Sequence, residues 1–162
     1  MKILALDQAT NITGYALFDG TDLCKYGVID LRKEKDAWER MQIMRIRVDR
    51  LIGERKPKLV LMEDITFQRN PQTLIELGRT QGLLMSVSFA HGIPVLIYHP
   101  SRWRSLLHIE QGKGHKRRDL KRQAAEIAKN VYGAETTEDE ADAISIGLAY
   151  LVESGAVELP RD

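Results

Sequence analysis

Four carboxylates carry the chemistry open to this chain. Asp7 closes the apolar run that begins at Met1, and Glu63 closes the run Leu59-Val-Leu-Met62. Asp139 and Asp142 stand three residues apart, where the sequence turns into the apolar stretch ending near Leu151. Acids at strand ends and on one helix face repel one another unless a cation joins them. Hard oxygen ligands favour Mg²⁺, with Mn²⁺ able to substitute. Two such ions about 4 Å apart activate a water and stabilise the leaving 3′ oxygen of a phosphodiester. The pattern therefore points to metal-assisted phosphodiester chemistry.

Each acid also has a structural explanation. Thr136-Thr-Glu-Asp139 reads as a capping box, so Asp139 could serve a helix start. Asp7 could cap a turn before Gly14. Glu63 could pair with Arg69 or Arg79. Asp142 resists such an account, because its neighbours are Ala141, Ala143, Ile144 and Ile146 and no basic residue lies one turn away.

These acids need elements to hold them. Residues 2–7, 13–18 and 23–31 read as a meander of three strands, divided by turn signals that include Asp19-Gly20. A helix follows over about 36–54, with Met44, Val48, Leu51 and Ile52 on one face, and Lys56-Pro57 ends it. Leu59–Glu63 reads as a buried parallel strand. Pro71 opens a helix running to about Ala90, and Val95–Tyr98 forms a fifth strand. A short turn near 101–107 precedes helices near 116–131 and 138–153. The order βββαβαβαα predicts an α/β fold: a mixed five-stranded sheet with helices on both faces. The acids at the ends of the first and fourth strands then meet at the carboxyl edge of the sheet. No linker or repeat divides the chain, so a single domain over 1–162 is expected.

Composition excludes several classes. A hydrophobic fraction of 43% and a charged fraction of 29% are ordinary for a globular protein, and no stretch approaches the length of a membrane span. Asp7 and Gln8 interrupt the first apolar run too early for a signal peptide, so a cytoplasmic location is expected. One cysteine, Cys24, and four scattered histidines exclude a cysteine-type zinc site. Net charge is only +1, yet Lys113, Lys116, Arg117, Arg118, Lys121 and Arg122 crowd one segment. Such a run is either a solvated helix face or a surface for a phosphate backbone. Trp103 reads as a core residue.

The segment Asp7-Gln-Ala-Thr-Asn-Ile-Thr-Gly14-Tyr15, then Leu61-Met-Glu63, then Asp139-Glu-Ala-Asp142-Ala resembles the RuvC-type Holliday-junction resolvases of the ribonuclease H-like superfamily. The likeness spans nearly the whole chain, including Asn70 and Leu77–Gly82, and its wording is similar to the bacteriophage or prophage branch. It implies that Asp7, Glu63, Asp139 and Asp142 bind Mg²⁺ and carry hydrolysis. It also implies a homodimer cutting opposing strands of branched DNA, with the helix bearing Gly78 and Gly82 as a dimer surface. Arg104 and Lys116 fall near the family's DNA-contacting positions, with Lys113, Arg117 and Arg118 alongside. The usual Pro-Gly after the first acid is Gln8-Ala9 here, which alters the turn and not the ligand. The family's junction-stacking aromatic falls at Thr66, so that role passes to Phe67 or is absent.

Rival readings are a non-catalytic DNA-binding relative, a nuclease preferring flaps or forks, and a fragment of an actin-like or sugar-kinase-type ATPase. The last needs a second domain and a second phosphate loop, for which 162 residues leave no room.

Overall fold

The computed structural model describes residues 1–159. Strands β1 (Lys2–Asp7), β2 (Ile12–Asp19) and β3 (Asp22–Asp30) form the meander. They are followed by α1 (Ala37–Arg55), β4 (Leu59–Glu63), α2 (Pro71–Ala90) and β5 (Val95–Tyr98). Three helices complete the order: α3 (Pro100–Leu106), α4 (Arg117–Tyr132) and α5 (Glu138–Glu153). The sheet order is β3-β2-β1-β4-β5, with β1 antiparallel to β2 and parallel to β4. This is the expected mixed sheet. One element differs: the turn expected near 101–107 is the seven-residue helix α3, so five helices follow the meander rather than four.

Alternation along the strands builds two cores. Ile3, Ala5, Ala16, Phe18 and Leu61 point to the face covered by α3, α4 and α5. Leu4, Leu6, Leu17, Val60 and Met62 point to the opposite face, under α1 and α2. The helix starts follow their sequence signals. Asp36 accepts from Glu39 N at 2.9 Å to open α1, and Asn70 accepts from Gln72 N at 2.9 Å just before Pro71.

Helix α5 lies deepest, with ten of its sixteen residues buried, and small side chains at some of these positions let it approach the sheet closely. At Gly147 a Cβ would stand 2.7 Å from Phe18 Cζ. At Gly14, on β2, a Cβ would stand 2.5 Å from the main-chain carbonyl carbon of Asp139. Gly14 seats the first turn of α5 against the end of the β1–β2 hairpin, and Gly147 seats the middle of the helix on Phe18, farther along β2.

Candidate active site

Asp7 ends β1 opposite Gly14, and Glu63 ends the adjacent parallel strand β4. Because β1 and β4 are parallel neighbours, both acids emerge at the same edge of the sheet. The seating of α5 on Gly14 brings Asp139 and Asp142 over that edge. All four acids line one cavity of about 350 Å³, together with Thr66, Gln68, Arg104, Arg117 and Lys121. A larger hollow of about 470 Å³ between β3 and α1 is lined by Ile43, Ile46, Arg47 and Glu54 and has no comparable group of acids.

Two of the acids depart from their simplest structural explanation, and a third has a partner the sequence did not show. The capping box of α5 uses Thr137 and Glu140, with Glu140 Oε2 accepting from Thr137 N at 2.7 Å. Asp139 is therefore not the capping acid and faces the cavity. Glu63 does not pair with Arg69 or Arg79; Arg79 stacks over Trp38 instead. The Glu63 carboxylate accepts from Trp103 Nε1 at 2.8 Å and lies 3.8 Å from Arg104. Its main-chain carbonyl accepts from Gln81 Nε2 at 3.0 Å and from Gln8 Nε2. So Gln8, in the place of the usual proline, ties the β1 end to the β4 end. Asp142 is not without a partner, because Lys121 reaches across from α4 and forms an ion pair with it. Side-chain exposure is 12% for Lys121 and 6% for Asp142, so water screens this pair little.

The acids remain short of positive charge. Burial, then the charges of Asp142 and Glu63, hold the Asp7 carboxyl well above the usual carboxylate range, against the pull of Lys121. Glu63 is also raised, because burial outweighs the Trp103 hydrogen bond and the Arg104 charge. Burial raises Asp142 despite the ammonium beside it. Among the described residues no three acids, histidines or cysteines are spaced to ligate one ion. The donor set nonetheless fits a hard divalent cation: four carboxylate side chains, mutually repelling, at one water-accessible cavity.

The basic segment divides rather than forming one stripe. Arg117 and Lys121, one turn apart on α4, face the cavity with Arg104. Arg118 is exposed, and Arg122 pairs with Glu126 at 3.1 Å. Lys116 is the N-cap residue of α4, and Lys113 lies in the exposed loop between Gly112 and Gly114; neither lines the cavity. Phe67 is 85% exposed in the loop after β4, between the cavity-lining Thr66 and Gln68. Trp103 is buried as expected, but it also orients an acid. The sequence reading missed Trp103, Gln8, Gln81 and Lys121 as site residues. Only Lys121 left a signal, its four-residue spacing from Arg117.

A mixed sheet of this order, with acids gathered over the ends of β1 and β4, defines a ribonuclease H-like hydrolase. The family model "Crossover junction endodeoxyribonuclease RuvC" matches residues 3–150, and the chain belongs to that family of divalent-metal-dependent endonucleases. The family's RuvC protein from Halorhodospira halophila is 28% identical over 92% of this chain and 89% of its own length. The one from Cytophaga hutchinsonii is 28% identical over 96% and 78%. In fold, the chain is similar to Thermus thermophilus RuvC in complex with Holliday junction substrate: TM-score 0.80, 20% identity, covering 96% of this chain and 95% of the other. The yeast mitochondrial Holliday junction resolvase Ydc2 is similar at TM-score 0.61 and 15% identity, over 95% and 79%. No helix among the described residues is long and apolar enough to cross a membrane.

Proposed function

We propose that this chain is a homodimeric resolvase that cuts four-way DNA junctions, with Asp7, Glu63, Asp139 and Asp142 holding Mg²⁺, or Mn²⁺ in its place. The observation that carries the reading is the convergence of all four acids on one cavity at the carboxyl ends of β1 and β4. A divalent ion bound there supplies Lewis-acid stabilisation of the phosphodiester and a more acidic water. The chain's own groups do the rest. Trp103, Gln8 and Gln81 fix the orientation of Glu63. Arg104 and Arg117 line the cavity wall, where guanidinium groups suit phosphate. Lys113, Lys116 and Arg118 lie outside the cavity and suit more distant backbone contacts, while exposed Phe67 suits base stacking.

The dimer reading draws on α2. Gly78 and Gly82 have open space where a Cβ would stand, and Ile75 and Phe89 are exposed on the same helix. The reading takes the chain as one domain over 1–162, and the motif wording supports the bacteriophage or prophage branch.

The test is Asp7→Asn against four-way, three-way, flap and linear duplex DNA, each with Mg²⁺ and with chelator. The expected result is preferred cutting of the four-way junction by the unmodified protein. Asp7→Asn should bind the junction and leave it intact. Cutting by Asp7→Asn at the unmodified rate would overturn the site assignment. Preference for the flap or the three-way junction would overturn the substrate.

A further inference from the structure

Lys121 is the one strongly buried cation that α4 sends into the acid cluster. It pairs with Asp142, and its charge is also felt by Asp7, Asp139 and Glu63. A lysine in such a place is costly, because an ammonium loses more on leaving water than most groups. The packing of α4 does not by itself call for a charge there: position 121 lies one turn from Arg117, at the wall of the cavity that the acids line. Lys121 therefore does something for the acids.

We propose that Lys121 is a built-in counter-cation, which holds the carboxylates together without metal and which a divalent ion must displace from Asp142. This rests on the assignment of the four acids as the metal site. The charge arithmetic gives the device a purpose. A monovalent ion brings no more charge than the ammonium it would replace, so the exchange gains nothing. A divalent ion brings twice the charge, and it coordinates several carboxylates at once. The resident lysine thus lowers affinity for every ion by a similar factor, and a monovalent ion, which is drawn less strongly to the acids to begin with, no longer fills the site. Its long flexible stem lets the displaced ammonium remain at the cavity wall beside Arg117.

The experiment measures Mn²⁺ binding by calorimetry, at one pH and low salt. The proteins are the unmodified chain, Lys121→Met, Lys121→Ala, Lys121→Arg and Asp7→Asn, with thermal unfolding in chelator recorded for each. Lys121→Met and Lys121→Ala should bind Mn²⁺ at least tenfold more tightly. They should melt at lower temperature in chelator and recover with Mn²⁺. Lys121→Arg keeps the charge and should stay within about threefold of the unmodified affinity. If Asp7→Asn loses Mn²⁺ while Lys121→Met and Lys121→Ala bind it no more tightly, the counter-cation is refuted and the metal site stands. If Asp7→Asn binds Mn²⁺ as the unmodified chain does, the metal site falls and the counter-cation with it. Two substitutions of different volume guard against a folding defect in either one.

Discussion

Replacing Gly14 by alanine perturbs the site without touching any acid. The added methyl would stand 2.5 Å from the carbonyl carbon of Asp139 and 3.3 Å from its Cβ. Unstrained carbon contacts lie at about 3.5–4.0 Å, so the first turn of α5 must rise by roughly 1 Å. The obstacle is helix backbone, and no rotamer change relieves it. Overpacking of this kind costs about 1–3 kcal/mol. For a chain of this length that lowers the melting temperature by about 2–12 °C. The functional loss should be larger in proportion. Asp139 and Asp142 ride on the displaced turn while Asp7 and Glu63 stay with the sheet, and a misplacement of about 1 Å can cost on the order of 10²-fold in rate. Single-turnover junction cleavage and thermal unfolding are the assays, with Gly53→Ala as the control. Gly53 is an exposed position in α1 whose added Cβ would meet only His91 Cε1 at 3.9 Å. That control should gain up to about 1 kcal/mol from helix propensity and cleave normally. If Gly14→Ala cleaves and melts like the unmodified chain, the seating of α5 on β2 does not set the site.

Two further outcomes follow from the same geometry. Trp103→Phe removes the indole N–H that holds Glu63, and should lower metal affinity or cleavage about 10–100-fold with the fold retained; normal cleavage would show that Arg104 alone suffices. The raised carboxyls of Asp7, Glu63 and Asp142 mean that the folded, metal-free protein holds protons more tightly than the unfolded chain. Their contribution to stability is present at pH below the ordinary carboxylate range and is lost as pH rises through the raised values. Melting temperature in chelator should therefore fall over that rise, and Ca²⁺ should abolish the fall; a melting temperature in chelator that climbs throughout would contradict the assignment.

Much of this protein was determined by sequence alone. Strand alternation, the turn at Asp19-Gly20 and the caps at Asp36 and Asn70 follow from local chemistry, and so do the strand-end positions of Asp7 and Glu63. These signals act over a few residues, and the α/β order with its parallel β1–β4 pair follows from them. The tertiary structure decided what depends on elements meeting across long sequence distances. Lys121 finds Asp142 twenty-one positions away, and Trp103 finds Glu63 forty positions away. Gln8 reaches the Glu63 carbonyl from the neighbouring strand. The cap of α5 likewise settled on Thr137 and Glu140, one residue later than the motif suggested, and that single step turned Asp139 toward the cavity. Burial and charge at a site are sums over partners that only packing brings together. The acids were therefore legible as residues, while the pairing of Lys121 with Asp142 was not.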